Sequence, residues 1–247
     1  MEQSAVSALA APAPSPLQRV ILMFTKPRDA MAGLAERPTS LFPMVLFLVA
    51  LLAQTLILYQ TAIVPMQIEQ MQKKVDAGQM PPEGLDRVEG MMRSPVGETW
   101  GVGIAVIAVV VIQLVIAALV LVAVNFIVGG RISFRQAWSL TWWTSVISVL
   151  GMIVSTILSL ATGKFPVHLG LGVLAPPEQA TSRAGAFIGG MLDALSVFPL
   201  WWLALMIIGA SVVSGKSGRA LTWTFIAFYV AVSAIGAGLA ALGTPAS

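Results

Sequence analysis

Residues 102–128 read VGIAVIAVVVIQLVIAALVLVAVNFIV, and this uncharged stretch decides the fold class of the chain. A helix needs roughly 20 apolar residues to cross a hydrocarbon core of about 30 Å, so the stretch is long enough. In lipid only helices and closed barrels satisfy their own backbone polar groups, and the stretch lacks the alternating pattern of a barrel strand. It is therefore predicted to be a transmembrane helix.

Four further stretches are similarly long and apolar, one before it in the chain and three after it. They cover residues 41–64, 138–161, 188–213 and 221–242, and Asp193 is the one formal charge within the five. Across the chain 57% of residues are hydrophobic and 10% are charged, whereas about 25% of residues are charged in a soluble protein. The composition argues against a soluble enzyme and predicts an all-α, polytopic membrane helical bundle with five transmembrane helices.

The segments outside the spans carry weaker signals. Residues 1–16 are predicted to form a disordered tail and residues 243–247 a short C-terminal tail. Between residues 17 and 36 apolar side chains recur with helical spacing, which predicts short amphipathic helices in the headgroup region rather than a solvated arm. Segment 65–99 is predicted to be an external helical segment. Segment 163–187 is rich in Gly and Pro but apolar, so it is expected to lie on the membrane surface or to form a shallow re-entrant turn.

Basic residues near the span ends predict the orientation of the bundle. Loops 129–137 and 214–220 each carry two basic residues and no acid, whereas segment 65–99 carries four basic and six acidic residues. The basic loops and the N-terminus are therefore expected in the cytoplasm and the C-terminus outside, in the cell inner (cytoplasmic) membrane. Four tryptophans are predicted to form an interfacial belt at the cytoplasmic end. They are Trp138, Trp142, Trp143 and Trp223.

Little in the sequence points to catalysis. The chain has no cysteine and one histidine, so thiolate metal sites and a catalytic cysteine are excluded and a Ser–His mechanism is hard to assemble. The tripeptide Gly215-Lys216-Ser217 lacks the earlier glycine of a phosphate-binding loop, because position 210 is Ala. We expect no enzyme activity, no cofactor, no metal and no nucleic-acid partner.

Asp193 is the most informative single residue, because a carboxylate at the centre of a membrane helix costs about 2.5–3.5 kcal/mol. Its position near the outer end of the fourth span would allow contact with headgroup water or Arg183. Alternatively, it would form an intramembrane polar site with Asn125 and Gln113, whose amides would otherwise pair between helices for about 0.6–2 kcal/mol each. Pro199 is expected to kink the same span, since proline removes a backbone hydrogen bond.

The third predicted span carries a stripe of small side chains at helical spacing. Its members are Ser145, Ser148, Gly151, Ser155 and Ser159. Small residues let transmembrane helices approach closely. The stripe is predicted to be a helix-packing face, within the chain or between two copies of it.

The order of these features is similar to that in a known family. The most specific segment is Gly129-Gly130-Arg131-Ile132-Ser133-Phe134-Arg135-Gln136-Ala137, which leads into the third span. Over residues 17–242 the chain resembles the Yip (Ypt-interacting protein) domain family of five-span integral membrane proteins, in its compact bacterial form. The resemblance implies five spans and a cytoplasmic N-terminus. Eukaryotic members are associated with Rab-type GTPases and vesicle formation, but this chain lacks their long N-terminal domain, so GTPase binding is not carried over.

The sequence leaves two functions open. The first is a non-enzymatic membrane scaffold, or a membrane-organising or trafficking-type component, whose partners are the lipid bilayer and either other membrane proteins or a second copy of the chain. The alternative is a subunit of a small-molecule or ion transporter with a polar path near Asp193.

Overall fold

The computed structural model describes residues 14–163, 165–174 and 182–244. Most of the two predicted tails, residues 1–13 and 245–247, lies outside this part of the chain. Five helical segments of the described residues are long and apolar enough to cross a membrane, and the predicted all-α, five-span fold is confirmed. They are Leu41–Asp76, Pro95–Ile127, Phe134–Thr162, Val197–Ser214 and Arg219–Leu242.

Several of these spans are built from more than one helix. In chain order the helices are α1 (Pro16–Thr25), α2 (Pro27–Met31), α3 (Leu41–Leu58), α4 (Val64–Asp76), α5 (Pro82–Met92), α6 (Pro95–Val122), α7 (Phe134–Thr144), α8 (Val146–Thr162), α9 (Arg183–Ala194), α10 (Val197–Ser214) and α11 (Arg219–Leu242). A π-helical turn, Tyr59–Ile63, joins α3 to α4, and a second one, Ala123–Ile127, extends α6. A short 3₁₀ turn, Leu171–Leu174, precedes α9.

The third span, α7 and α8, lies at the centre of the bundle, where α3, α6 and α10 all pack against it. Nine consecutive residues, 139–147, are buried. Since successive residues of a helix point in different directions, this run must have neighbours on every side. A helix at the edge of a bundle would bury only one stripe of its surface.

The central position of α7 corrects the predicted tryptophan belt. Trp142 and Trp143 are 0% and 1% exposed, so they are core residues, whereas Trp223 is 65% exposed. Trp143 stacks on Phe42, and Trp142 meets Phe47 edge to face. Trp138 is only partly buried. A tryptophan near a helix end has the same sequence signature in a belt and in a core, and only the neighbouring helices distinguish the two.

One side of the N-terminal arm, residues 16–39, packs against the bundle. Ala30, Met31 and Leu34 are fully buried. They are the apolar residues of the second predicted helix, and α2, which carries the first two of them, packs against α10. On α1 the buried residues are Arg19 and Met23, whereas Leu17 and Ile21 face outward.

Side-chain hydrogen bonds fix the arm to α7. The carbonyl oxygen of Thr39 accepts from Ser139 Oγ and Trp143 Nε1, both at 2.7 Å. Gln136 Nε2 donates to the carbonyl oxygen of Ala35. These bonds satisfy backbone oxygens that would otherwise be costly to bury.

Arg19 adds a charged contact to the same junction. Its guanidinium lies 5.0 Å from the centre of the Trp143 ring, and Nη1 donates to Thr39 Oγ1 at 3.4 Å. Burial lowers the pKa of Arg19 from its ordinary value, because removal from water disfavours the charged form. The aromatic face offsets part of that cost.

The fourth predicted span, residues 188–213, is divided in the structure. It breaks at Leu195–Ser196 into α9, which packs along α11, and α10. The backbone N–H of Ser196 returns to the carbonyl oxygen of Asp193. Pro199 therefore lies in the first turn of α10 and does not kink a helix, since a first-turn N–H needs no intrahelical partner.

At the far end of the bundle the first span continues as the polar helix α4, and α5 returns towards α6. The hydroxyl of Tyr59 donates to the carbonyl oxygen of Gly97 at 2.9 Å, and Gln60 donates to Glu98 at 3.2 Å. Segment 65–99, which includes most of α4 and all of α5, carries more acidic than basic residues. We call this the acidic end, and the end that holds the N-terminal arm the basic end.

A substitution at Gly209 can test how closely α10, α7 and the N-terminal arm are packed. A β-carbon at Gly209 would overlap the side chain of Leu140 and would lie 3.2 Å from the sulfur of Met31. Gly209→Val should therefore lower the free energy of unfolding by about 1–3 kcal/mol through overpacking. The matched control is Gly236→Val on α11, where a β-carbon has no neighbour within 4 Å. Thermal unfolding in detergent measures both, and equal melting temperatures would contradict the packing.

Candidate functional site

A cavity of about 540 Å³ lies between α6, the third span, α10 and α11. Ligand pockets in proteins usually enclose roughly 300–1,000 Å³, so the size is ordinary for a binding site. An empty apolar void is unfavourable, by about 24 cal/mol per Å³ where it is enclosed, so a space of this size is expected to be filled.

The walls of the cavity are mostly apolar. Large side chains come from three helices: Ile112 and Ile116 on α6, Phe198, Trp202 and Met206 on α10, and Phe225, Phe228 and Val232 on α11. The third span contributes only small residues, Ser145, Ser148 and Gly151. Gly151 faces the ring of Phe198. The space exists because the central helix presents this row of small side chains to it.

The remaining members of the predicted packing stripe face a different neighbour. The amide of Gln54 on α3 donates to Ser155 Oγ at 2.8 Å, and also to the Met152 carbonyl oxygen and Thr156 Oγ1, both at 3.0 Å. Ser159 is buried further along α8. The stripe therefore borders the cavity at one end and packs against α3 at the other.

Asp193 lies at one end of the cavity, in the last turn of α9. Its Oδ1 is 3.0 Å from Nδ1 of His168. The side chain of His168 is 8% exposed, and that of Asp193 is 47% exposed. The sequence had offered Arg183 as a partner, but the guanidinium of Arg183 donates to the carbonyl oxygen of Thr244 at 3.3 Å. Asp193 is thus held by a histidine from the loop that covers the α9–α10 junction.

Two glycines allow that loop to lie close to the junction. Gly170 pairs with Ser196 in an isolated antiparallel bridge, and a β-carbon on Gly170 would lie 2.6 Å from Cα of Ser196. A β-carbon on Gly172 would lie 2.8 Å from Oδ1 of Asp193. The backbone of the loop therefore lies directly against the α9–α10 junction and closes this end of the cavity.

The closed end is polar and negative. The hydroxyl of Ser196 donates to the carbonyl oxygen of Asp193, and that of Tyr229 donates to the carbonyl oxygen of Ala194. Ser233 lines the cavity nearby on α11. The C-terminus of α9 and the N-terminus of α10 meet here with opposite partial charges, so the formal negative charge of this end is that of the Asp193 carboxylate.

The other two predicted polar residues occupy different places. Gln113 is buried, lines the same cavity as Asp193, and donates to Ser145 Oγ at 2.7 Å. Asn125 does not line it: its side chain donates to the carbonyl oxygen of Ile132 at 2.9 Å and accepts from the N–H of Ile132 at 2.8 Å. Asn125 thus closes the α6–α7 loop.

Sequence reasoning missed the companions of Asp193, namely His168, Ser196, Tyr229 and Ser233. One signal could have placed the junction. Ser196 followed by Pro199 resembles a helix start, with a small polar residue before the first turn and a proline within it. The approach of His168 had no local signal, because 25 residues separate it from Asp193.

Asp193 and His168 are both residue types that bind metals, but a catalytic zinc usually has three protein ligands. Among residues 14–163, 165–174 and 182–244, no group of three or more such side chains could hold a metal ion. Asp193 and the polar groups around it can instead bind a cation or a hydrogen-bond donor at one end of the apolar cavity.

Five spans, with residues 139–147 of the third buried among their neighbours and a cavity beside that helix, define a polytopic all-α membrane protein. The Yip1 domain family model matches residues 21–241. The chain belongs to this family, and the resemblance seen in the sequence is confirmed. No curated protein and no solved structure matches the chain.

Asn125 provides a test of its role in closing the loop. Asn125→Ala should lower the free energy of unfolding by about 1–3 kcal/mol, because it leaves the N–H and carbonyl oxygen of Ile132 without their partner. Gln72→Ala is the control, since the amide of Gln72 bonds only to exposed Asp76 on the same helix; its effect should stay within about 0.5 kcal/mol. Similar melting temperatures for both variants would show that the α6–α7 loop does not depend on Asn125.

Proposed function

We propose that this Yip1-family protein is a non-enzymatic, membrane-organising component that gathers anionic lipids around its basic end. That end would face the cytoplasm, in the cytoplasmic membrane. The observation that supports this proposal most directly is the concentration of positive charge around the N-terminal arm.

Seven basic side chains are exposed at the basic end, against two exposed acidic ones, Asp29 and Glu36. The basic residues are Lys26, Arg28, Arg37, Arg131, Arg135, Lys216 and Arg219. Each Lys or Arg near an anionic leaflet contributes about 1 kcal/mol of attraction. A net excess of five charges, seven minus two, supports a local enrichment of anionic headgroups.

The arm adds an apolar edge to this charged surface. Leu17 is 68% exposed and Ile21 is 64% exposed on the outer side of α1. They are one helical turn apart, so they form a single edge beside the basic residues of α2. Apolar side chains next to basic ones are the combination that holds amphipathic helices at a membrane surface. The arm is therefore suited to contact lipid directly while its other side is fixed to α7.

The five spans require a lipid bilayer as their environment. We propose that the protein also has a partner within the bilayer. The outward side of α6 carries large exposed apolar residues, among them Ile104, Ile107 and Val111. Lipid covers such a surface, and another membrane protein or a second copy of the chain would fit it equally.

The orientation can be tested because the chain has no cysteine, so single cysteines report their own accessibility. Ser217→Cys lies in the exposed turn between α10 and α11, and Gln79→Cys lies in the exposed turn after α4. In intact cells, a membrane-impermeant thiol reagent should label Gln79→Cys and label Ser217→Cys only after permeabilisation. The opposite pattern would place the basic end outside and remove the proposed contact with the cytoplasmic leaflet.

Lipid gathering can be tested with two sets of substitutions of equal charge. Lys26→Gln, Arg28→Gln and Arg37→Gln together should reduce the enrichment of a labelled anionic lipid around the reconstituted protein several-fold, and added salt should weaken the wild-type effect. Lys73→Gln, Lys74→Gln and Arg87→Gln remove the same charge from the acidic end and should change little. If both sets behave alike, or the wild type shows no enrichment, the proposal fails.

The cavity favours a second candidate, a transport component, because it brings Asp193 and Gln113 into one space. Apolar walls separate these polar groups, and the amide of Gln113 is engaged by Ser145, so a continuous polar path is less well supported. If the chain transports a polar solute or ion through this cavity, Asp193→Asn should lower the flux in reconstituted vesicles at least several-fold. Unchanged flux would remove this candidate.

A further inference from the structure

The charge distribution in the cavity restricts what can fill it. Its side walls are formed by branched and aromatic side chains such as Ile116, Phe198 and Phe228, whereas its closed end holds Asp193. Water in a wholly apolar space would lose its hydrogen bonds, and a hydrocarbon alone would remove the half-exposed carboxylate from water without replacing the hydrogen bonds that water gives it. The occupant that satisfies both parts is amphipathic, with a hydrocarbon chain and a polar head.

The lining residues also indicate the route of entry. Ile112 on α6 and Val232 on α11 both line the cavity, yet they are 55% and 47% exposed. Both lie within membrane spans. An opening of the cavity between α6 and α11 would therefore face lipid, and we place the route of entry there.

The closed end favours a positively charged head with hydrogen-bond donors. The Asp193 carboxylate is held by His168 and yet half exposed, so it is both fixed in position and accessible. A primary ammonium can donate hydrogen bonds to a carboxylate, whereas a quaternary ammonium has no N–H to donate.

We infer that the cavity is a binding site for an aminophospholipid, with the primary ammonium group at Asp193 and one acyl chain between α6, α10 and α11. This goes beyond the proposed function, which depends on the opposite end of the molecule. The inference rests on the cavity, its lateral opening and the Asp193–His168 pair. An ion path would require polar groups along the walls, where the structure has Ile116, Phe198 and Phe228.

The test uses the full chain in a mild detergent, titrated with lipids and followed by native mass spectrometry. Phosphatidylethanolamine is compared with phosphatidylcholine and phosphatidylglycerol that carry identical acyl chains. The wild type should bind phosphatidylethanolamine about tenfold more tightly than phosphatidylcholine, which corresponds to about 1.4 kcal/mol. Asp193→Asn should reduce this preference to about twofold or less, because the amide keeps the shape and loses the charge. Asp76→Asn, on exposed α4, should leave the preference unchanged.

A second variant tests the space independently of the charge. Val232→Trp places a large ring at the half-exposed opening and should weaken binding of all three lipids by at least several-fold, with a melting temperature close to that of the wild type. This readout remains informative if Asp193→Asn does not fold.

The inference is overturned if the wild type does not distinguish ethanolamine from choline headgroups, if a folded Asp193→Asn variant keeps the preference, or if a folded Val232→Trp variant binds as before. Substituting Lys26, Arg28 and Arg37 by Gln should leave this preference intact, since these residues lie at the other end. Failure of the aminophospholipid site and failure of the proposed function therefore give different results.

Discussion

The burial of residues 139–147, in the first half of the third span, on every side of the helix is the constraint on which the rest of the structure depends. Residues 139–147 have neighbours in all directions, and α3, α6 and α10 are the spans that pack against this helix. The N-terminal arm fills the remaining side, where Arg19 and the carbonyl oxygen of Thr39 both contact Trp143. Because the arm is part of the core, its outer edge and its basic residues are held in a fixed position relative to the membrane.

The same central helix accounts for the cavity. Its small residues let α3 approach closely near Ser155, but between Ser145 and Gly151 they face large side chains on α10 that do not fill the space. The division of the fourth span at Leu195–Ser196 adds the polar end, because it brings a helix terminus and Asp193 to a place where an unbroken helix would expose only side chains. Close packing and open space thus arise from one row of small residues.

The sequence was informative where a single segment carries the signal. Five apolar runs, in which Asp193 is the one formal charge, predicted the spans, and a degenerate motif at residues 129–137 predicted the family. It was less informative for residues whose role depends on another segment. Trp142 and Trp143 had the pattern of a belt and proved to be core, and Asn125 had the chemistry of an intramembrane site and closes a loop. Gln113 and Asp193 do share a cavity, but nothing in the sequence distinguished these two residues from Asn125.

By itself, the sequence determined that the chain is an all-α membrane protein with five spans, because hydrophobic length and the need to satisfy backbone polar groups are properties of each segment alone. The tertiary structure decided which span is central, where the fourth one breaks, and that His168 meets Asp193 across 25 residues. These features depend on which surfaces face one another. In lipid, apolar residues are equally stable against a neighbouring helix or a lipid chain, so hydrophobicity does not specify the contact; small residues and hydrogen bonds do.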